Sequence, residues 1–491
     1  MNNMLYLLLL TFFINKAHSI KQCTPRIAII GGGISGSSAS YYLNELFKEN
    51  VQIDVFEANN VGGRLATIEI GQNLYEAGGS IIHNRQRYMN HFTEILGLEQ
   101  RPSPDNQRYG VWNGKEFVFK ESKWEIITFI KLFYRYGFQP FALYSYINKL
   151  LQDFETIYEL QNNGATFINT TSLMGAMNEQ FPKMMDITTK NHLLNLGYSS
   201  KLIDELVTAT LIVNYGQDTN VQSFVGCASV AGGGFNLWAV KGGNDKIPKG
   251  LISKTKSVEV VPSQVTKIRY SQKSDKLLQY EIFYDQEGIS NSSFYDIVII
   301  ATPLTQDQEW SIEFEGFPNG TEFKFPGDYQ TTVATFVQGD LNPSYFGLAE
   351  LLDGVMSCNL LNTKINSIGK IFPVEGYTGA DSRVWKIFSK ESLKLEDLND
   401  IFLQIDEVKE VKWKAYPHYG ATLRNDNFKL YDLVYQTNAI EWAASAMEMS
   451  AIAGRNVAIL AYNEYLQKYS SASSQKPSDK KVLKKIRLSE L

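Results

Sequence analysis

The stretch RIAIIGGGISGSSAS, Arg26 to Ser40, decides the fold of this 491-residue chain. Its first five residues are mostly β-branched and indicate a strand buried on both faces, which runs directly into three glycines. Gly31, Gly33 and Gly36 have the spacing GxGxxG and open a segment with helical periodicity. The segment VQIDVFEA, which begins at Val51, returns to strand character. Together these segments predict a βαβ unit.

The glycines and a later acid predict a dinucleotide-binding site. Gly31 allows the tight turn, Gly33 lets the backbone approach a pyrophosphate, and Gly36 lets the helix pack on the strand. The helix N-terminus attracts the negative charge of the phosphates. Glu57 ends the second strand, where it would accept hydrogen bonds from the adenosine ribose. Their immediate neighbours in the chain are also expected at the cofactor: Ile34, Ser35 and Ala58.

Two further glycine motifs favour FAD over NAD as the cofactor. GGR, Gly62 to Arg64, follows the acid, and GGS, Gly78 to Ser80, follows soon after. A flavin dinucleotide can use Gly63 for close approach and Arg64 for charge, whereas an NAD site needs no second glycine cluster. Gly79 and Ser80 are expected at the same cofactor.

Composition and charge favour an ordinary globular protein of at least two domains. The chain is 44% hydrophobic and 20% charged, and its net charge of -5 argues against a nucleic-acid partner. The expected division is a signal peptide (1–19), a first FAD-binding part (25–122), a helical part of a substrate domain (123–215), a return to the FAD-binding domain (216–328), the remainder of the substrate domain (329–414), a C-terminal FAD-binding segment (415–466) and a polar basic tail (467–491).

The first residues predict entry into the secretory pathway. The apolar run Met4 to Ile14 is too short to span a bilayer and is followed by small residues, which indicates a signal peptide cut after Ser19; a buried N-terminal strand is the alternative. Secretory entry would expose three sequons to glycosylation, at Asn169, Asn291 and Asn319. Only three cysteines are present, so neither a disulfide framework nor a metal site is expected.

The end of the chain is Ser-rich and then basic, KKVLKKIR. We expect this tail to be solvated, with contact to an anionic membrane as the less favoured alternative. Peripheral membrane contact is therefore possible, and no transmembrane segment is expected.

The order of the motifs resembles the flavin-dependent amine oxidase superfamily. The segment YDIVIIATP, which ends at Pro303, is similar to the return strand of that superfamily and implies a cofactor contact at Thr302. Val265 falls where a backbone contact to the adenine is expected. The resemblance implies an α/β fold in which a Rossmann-type FAD-binding domain is interleaved with a substrate domain of mixed sheet and helices.

Three stretches resemble a narrower family, prenylcysteine oxidase: Ala239 to Ile252, Lys414 to Gly420, and Asn438 to Tyr465. The resemblance implies FAD-dependent cleavage of the thioether of farnesyl- or geranylgeranyl-cysteine, with O2 and water as co-substrates and cysteine, a prenyl aldehyde and hydrogen peroxide as products. It also implies a glycoprotein of the lysosome or vacuole lumen, with secretion as the alternative.

The same resemblance suggests residues near the flavin. If a side chain assists water, His418 or Tyr416 is expected to do so, although an ordinary structural role is as plausible for either; His83 is a further candidate. Asn438 or Glu441 would hold the ribityl-phosphate end, and Met447 could pack on the ring system. The stretch NAIEWAASAMEMSAIAGRN is expected to bring a helix N-terminus toward the flavin, its small residues permitting close approach.

The helical segment from Trp124 to Tyr158 contains eleven aromatic residues and three acids. This composition suits an apolar pocket for an isoprenoid better than a site for a polyamine, although any single aromatic can equally belong to the core. An amine or polyamine oxidase, and a secreted non-catalytic lipid-binding relative, are the alternative functions.

Overall fold

A six-stranded sheet surrounds the strand that precedes the glycines. The structure is a computed structural model, and it describes residues 24–233, 236–272, 278–286, 288–420 and 426–473. Every neighbouring pair is parallel except the pair at the C-terminal edge. Ile27 to Ile30 are at most 5% exposed, as a central parallel strand requires. In spatial order the strands are Lys429–Tyr431, Val434–Gln436, Ile297–Ile300, Arg26–Ile30, Gln52–Glu57 and Val258–Pro262.

Two helices pack tightly against each other beside this sheet, Ile34–Leu46 and Met447–Ser473. A Cβ at Gly454 would lie 2.6 Å from the backbone oxygen of Ser35, so a larger residue would push the helices apart. The Ser38 hydroxyl donates to the backbone oxygen of Ala451 at 3.1 Å. The small residues near the end of the chain therefore serve helix contact. The C-terminal helix reaches Ser473, so the first seven residues of the predicted tail are helical, and Gln467 is exposed as expected for a solvated segment.

A seven-stranded sheet forms the second part of the molecule. It contains two short strands, Tyr109–Trp112 and Phe117–Lys120, which the sequence division placed before residue 122 with the FAD-binding part. That placement is wrong, because a four-residue hairpin strand shows its apolar pattern but not the sheet that it joins. In spatial order the strands are Phe402–Pro417, Tyr329–Leu341, Val384–Ser389, Ile365–Lys370, Gly354–Ser357, Tyr109–Trp112 and Phe117–Lys120.

The helical part occupies the expected region and extends beyond its predicted end at residue 215, because the helix Ser223–Gly232 packs with the other helices of this part. Its helices are Glu125–Tyr136, Gln139–Phe154, Thr156–Asn162, Thr170–Met177, Gln180–Met184, Thr189–Asn195, Ser200–Leu202, a π-helical turn Ile203–Val207, Thr208–Tyr215 and Ser223–Gly232. The expectation that the aromatic residues of this part line an apolar pocket or fill the core is wrong for several of them. Trp124, Tyr134 and Phe138 are 68%, 92% and 74% exposed, because the periodicity of a helix reveals an apolar stripe but not its direction.

The remaining elements connect these parts. A four-stranded sheet holds Ile289–Tyr295, Leu278–Gln286, Gln264–Gln272 and Glu313–Glu315. Thr67–Ile70 and Asn73–Glu76 form a hairpin, and Ile82–His83 pairs antiparallel with the distant strand Leu237–Trp238. Further helices are Arg87–Ile95, Lys246–Lys254 and Leu395–Ile401, with 3-10 turns at Pro343–Phe346 and Asn438–Trp442.

No helix among the described residues is both long enough and apolar enough to cross a membrane. The predicted signal peptide, Cys23 and residues 474–491 of the tail lie outside the described residues. Cys227 and Cys358 are both buried free thiols.

Candidate active site

The glycine loop leaves open space at the position where a phosphate is expected. Gly31 has φ +109°, which makes the tight turn, and its N–H donates to the backbone oxygen of Phe56 at 2.8 Å, where the strand ladder ends. A Cβ at Gly36 would overlap the Gly31 carbonyl oxygen, whereas a Cβ at Gly33 would meet nothing closer than the Gly62 oxygen at 3.8 Å. Gly36 is therefore needed for helix packing, and the space beside Gly33 suits a pyrophosphate at the helix N-terminus.

Glu57 is held facing this loop. Its carboxylate accepts hydrogen bonds from the N–H groups of Gly32 at 2.8 Å and Asn59 at 2.9 Å, and its side chain remains partly exposed. The Ser263 N–H donates to the Glu57 backbone oxygen at 3.1 Å, which places the buried Val265 nearby. This is the arrangement expected around an adenosine. Ala58 is exposed beside it.

The other glycine motifs converge on the same loop. The Gly62 N–H donates to the backbone oxygen of Gly32 at 3.0 Å, and a Cβ at Gly63 would lie 3.4 Å from the Cα of Gly33. The Gly79 N–H donates to the backbone oxygen of Arg64 at 3.0 Å. Thr302 also lies at the loop, since a Cβ at Gly31 would lie 2.8 Å from its methyl carbon. Motifs that are far apart in the chain thus surround one space.

The Arg64 side chain makes a two-pronged ion pair with Glu441. Arg64 Nη1 donates to Glu441 Oε2 at 3.0 Å and to the Ala415 backbone oxygen at 2.6 Å, and Nη2 donates to Glu441 Oε1. Burial acts to lower the pKa of Arg64, but Glu441 outweighs burial and raises it above its ordinary value. Arg64 is permanently charged. Because Glu441 carries the opposite charge, the pair adds no net charge to the site. Its contribution is to orient neighbouring groups.

Asn438 completes this ion pair. Its Nδ2 donates to Glu441 Oε1 at 2.7 Å, and the hydroxyl of Tyr329 donates to Glu441 Oε2 at 3.3 Å. The Glu441 side chain is only 3% exposed. Both carboxylate oxygens of Glu441 are thus engaged. Asn438 is engaged in the same way, since its Oδ1 accepts from the Thr437 hydroxyl at 3.4 Å, so the role of either residue at the ribityl-phosphate end stays a prediction.

Three tyrosine side chains pack against one another near the ion pair. Tyr416 packs edge-on against Tyr215, with ring centroids 5.0 Å apart, and Tyr215 packs against Tyr419 at 5.5 Å. The Tyr419 hydroxyl accepts from the Ser445 N–H at 2.9 Å. Burial raises the pKa of Tyr416, so its phenol stays protonated near neutral pH.

The structure separates the two side chains of AYPHYG that were considered for catalysis. Tyr416 lies near Arg64 and Glu441, whose charges both influence its pKa. His418 lies at the surface with 48% of its side chain exposed, 3.8 Å from the Asp328 carboxylate. His418 lines an open cleft of about 270 Å³, together with Tyr419 and others.

Two further candidates, His83 and Met447, lie in the short strand Ile82–His83 and at the start of the C-terminal helix. His83 Nδ1 accepts from the Arg85 N–H at 3.1 Å, and burial lowers the pKa of His83, which keeps its ring neutral. Met447 is the first residue of the C-terminal helix and is partly buried. Ser35, at the other helix N-terminus, has its hydroxyl bonded to Thr437.

A buried lysine under the GGS turn was not predicted. Lys386 is 6% exposed, and its Nζ donates to the backbone oxygens of Glu76 at 3.2 Å and Gly78 at 3.5 Å. Burial lowers the pKa of Lys386 to about 8 and raises that of Glu76 to about 7. Lys386 occupies one position of an ordinary strand, VWKIFS, and nothing in that pattern indicates proximity to the turn.

A second buried acid was also missed. The Glu448 carboxylate accepts from the N–H groups of Tyr88 at 2.8 Å and Met89 at 3.0 Å, in the first turn of helix Arg87–Ile95. It also accepts from the Tyr158 hydroxyl at 2.7 Å. Burial raises the pKa of Glu448 to about 7. Glu448 therefore ties the C-terminal helix to the helical part of the chain.

Comparison with known proteins decides the family. Residues 119–475 match the family model described as prenylcysteine lyase, and residues 29–96 match that of an NAD(P)-binding Rossmann-like domain. The chain belongs to the prenylcysteine lyase family. Among the residues described for this family member, no group of three His, Cys, Asp or Glu side chains is placed to hold a metal ion.

Relatives of this prenylcysteine lyase family member align over nearly its whole length. Prenylcysteine oxidase 1 of Mus musculus is 38% identical over 456 residues, which cover 90% of this chain and 89% of the relative. Prenylcysteine oxidase 1 of Homo sapiens is 37% identical over 476 residues, 94% of this chain and 93% of the relative. Prenylcysteine oxidase 1-like of Mus musculus is 34% identical, covering 90% and 91%.

Solved structures show the same fold at low identity. A triple mutant of putrescine oxidase matches with a TM-score of 0.56 and 13% identity, covering 88% of this chain and 98% of that chain. Wild-type putrescine oxidase bound to putrescine matches with a TM-score of 0.53 and 14% identity, covering 88% and 98%. The expected α/β architecture with a Rossmann-type domain is thereby confirmed for this member of the prenylcysteine lyase family.

Proposed function

We propose that this chain is an FAD-dependent oxidase that cleaves the thioether of prenylcysteines. The observation that carries the proposal is the family match over residues 119–475, together with the glycine loop inside the Rossmann-like match over residues 29–96. The balanced reaction consumes prenylcysteine, O2 and water and yields cysteine, a prenyl aldehyde and hydrogen peroxide.

The residues around the glycine loop fit FAD. Gly33 and the helix N-terminus at Ile34 would hold the pyrophosphate, and Glu57 would hold the adenosine ribose. Gly79, Ser80 and Asn438 would lie toward the flavin end. When bound, FAD accepts a hydride from the substrate carbon next to sulfur and passes the electrons to O2.

The surrounding side chains favour positioning over acid–base catalysis. A cation next to sulfur and an alkene is stabilised by the substrate itself, so no strong base is required. The Tyr416 phenol, which remains protonated, can hydrogen bond to the water that adds to the substrate. His418 faces the outer cleft and is better suited to contact with the polar end of a substrate.

The protein is proposed to act in the secretory pathway, in the lysosome or vacuole lumen, with secretion as the alternative. The sequon at Asn319 supports this proposal because it lies in an exposed turn. Asn169 caps a helix by accepting from the Ser172 N–H, and Asn291 lies in a strand, so glycans are expected there less readily. Peripheral contact with a membrane belongs to the same proposal.

One preparation of purified protein tests the function. Flavin absorbance is measured first, and hydrogen peroxide and free cysteine are then measured with farnesylcysteine, with geranylgeranylcysteine and with spermine. Peroxide and cysteine in equal amounts, from a prenylcysteine only, are expected. The variant Tyr416→Phe, which keeps the ring packing and removes the hydroxyl, tests the proposed contact with water and is expected to lower turnover without loss of flavin absorbance.

Other results would point to the alternatives. Peroxide from spermine alone would identify an amine oxidase. Protein that is colourless and gains no flavin absorbance with added FAD would identify a binding protein that retains only the fold.

A further inference from the structure

Two helices of the helical part expose an apolar surface to solvent. The surface, called here the hairpin face, is carried by Glu125–Tyr136 and Gln139–Phe154 and the residues that join them. Its most prominent side chains are each more than half exposed: Trp124, Ile126, Ile130, Tyr134, Phe138 and Tyr144. A contiguous apolar surface of this kind marks an interaction site.

The first of these helices, Glu125–Tyr136, exposes its apolar side chains to solvent, whereas an ordinary surface helix buries them. Ile126, Ile130 and Tyr134 recur every four residues and point outward, with exposures of 67%, 60% and 92%. The opposite side of the helix contacts the protein partly through polar groups, including Arg135. A surface helix of a globular protein normally buries its apolar stripe. Something outside the chain's own core is therefore expected to cover this one.

The hairpin face is held rigidly. Arg135 donates to both carboxylate oxygens of Glu205 at 2.6 Å, and the Tyr136 hydroxyl donates to the same carboxylate at 2.7 Å. Between the helices, the rings of Phe129 and Phe141 stack with centroids 5.7 Å apart. The apolar side chains are thus presented in a fixed arrangement.

Composition favours a lipid surface as the partner. The two helices from Glu125 to Phe154 contain three basic and two acidic residues, a net charge of +1 in a chain of net charge -5, and Lys131 and Lys149 are the basic residues other than Arg135, which pairs with Glu205. Bulky apolar side chains with Trp, Tyr and basic residues beside them are the composition of helices that lie in a membrane interface. Anionic headgroups would complement the segment's charge.

We propose that the hairpin face inserts into one leaflet of a membrane that contains anionic lipid, and that it anchors the protein without spanning the bilayer. This surface is separate from the basic tail and from the residues placed at the cofactor. The proposal does not depend on which substrate the protein oxidises.

Co-sedimentation with vesicles tests the proposal. FAD-loaded protein lacking residues 1–19 is mixed with vesicles of phosphatidylcholine alone or of phosphatidylcholine with phosphatidylglycerol. Wild-type protein is expected to bind the anionic vesicles more tightly, and added salt is expected to weaken binding. The double variant Ile130→Glu/Phe138→Glu is expected to lose at least about tenfold in vesicle affinity.

A matched control separates insertion from nonspecific charge effects. Leu361→Glu/Leu403→Glu adds the same charge at apolar side chains that are 96% and 70% exposed outside the hairpin face, and it should retain more of the binding. Flavin absorbance and Tm are measured for both variants to verify folding. In addition, brominated lipid should quench the fluorescence of wild-type protein more than that of Trp124→Phe.

Three results would overturn the proposal. The first is that the wild type does not bind vesicles. The second is that the hairpin variant and the wild type bind vesicles equally well. The third is that neither protein binds vesicles and the wild type forms a concentration-dependent dimer that the hairpin variant does not form. The last result would show that a second copy of the chain covers the face.

Discussion

At the scale of single residues, two glycines of the same loop, Gly33 and Gly36, have different roles. A Cβ at Gly36 would overlap the Gly31 carbonyl oxygen, so Gly36→Ala is expected to destabilise the protein by about 2 kcal/mol. A Cβ at Gly33 has room, so Gly33→Ala should fold normally and lose at least about tenfold in FAD affinity, because the methyl group occupies the phosphate space. Denaturant unfolding of the apoprotein and FAD titration measure the two effects.

Gly369→Ala is the control for this pair, since a Cβ there would meet no atom within 4 Å. Normal FAD binding by Gly33→Ala would contradict the assignment of the loop to the phosphates.

The Arg64–Glu441 pair provides a second residue-scale prediction. Arg64→Met leaves the Glu441 carboxylate, 3% exposed, without its cation and should lower the free energy of unfolding by about 2 kcal/mol or more. Arg64→Met combined with Glu441→Gln should recover part of this loss, because no uncompensated charge then remains. Urea unfolding of the two single variants and the double variant gives the coupling energy. Additive effects would show that the pair contributes no coupling.

The sequence predicts part of the site because some residues act locally. The GxGxxG spacing predicts a turn and a helix start from adjacent residues, and Glu57 follows at a fixed distance along the chain. The partner of Arg64 could not be predicted, because Glu441 lies 377 positions away and the pairing depends on how the chain returns. Lys386 was missed for the same reason.

At the scale of elements, Glu448 joins the C-terminal helix to the first turn of helix Arg87–Ile95. Burial raises its pKa to about 7 from an ordinary value of 4.5, so the folded protein binds this proton more tightly than the unfolded chain does. The resulting stabilisation is complete below pH 4.5 and is lost as the pH rises through about 7. The Glu448 contribution should therefore lower Tm between about pH 5 and pH 7, against an opposite contribution from His83, whose pKa burial lowers.

Glu448→Gln should make Tm less dependent on pH. It removes at most about 3 kcal/mol from the change in the free energy of unfolding over this pH range. In the variant, Glu76, whose pKa is also raised to about 7, still contributes a slope of the same sign, and His83, His91 and His192, whose pKa values burial lowers, contribute the opposite slope. Calorimetry of both proteins across the pH range measures the difference. An unchanged slope would mean that Glu448 does not titrate in this range.

Elements were easier to predict than their orientations. The helical periodicity after Trp124 correctly indicates helices, yet it gives no direction, and the apolar stripe of Glu125–Tyr136 faces outward. The stretch NAIEWAASAMEMSAIAGRN was expected to place a helix N-terminus at the flavin. Its first part forms a 3-10 turn that carries Glu441, and its Ala and Gly residues allow contact with helix Ile34–Leu46.

At the scale of the whole molecule, the chain passes between the two large sheets several times. The sequence predicts this interleaving because YDIVIIATP resembles a return strand, and Ile297–Ile300 does pair with Arg26–Ile30. It does not predict which sheet a short hairpin joins, because register and partner choice depend on packing that has no local signal. The site residues consequently come from widely separated parts of the chain, from Gly31 to Met447.

Because the site residues come from widely separated parts of the chain, FAD is expected to stabilise the entire fold. FAD in contact with the glycine loop, the GGR turn and Asn438 would bind the folded chain and not the unfolded one, which adds about 2.7 kcal/mol when its concentration is 100 times Kd. The holoprotein should therefore unfold in a transition at higher Tm than the apoprotein, and the increase should grow with FAD concentration. Differential scanning calorimetry measures it, with Gly33→Ala as the control that keeps the fold but shows little increase. Equal Tm values for apoprotein and FAD-saturated protein would contradict a cofactor site built from these segments, because ligand binding to the folded state alone must raise its stability.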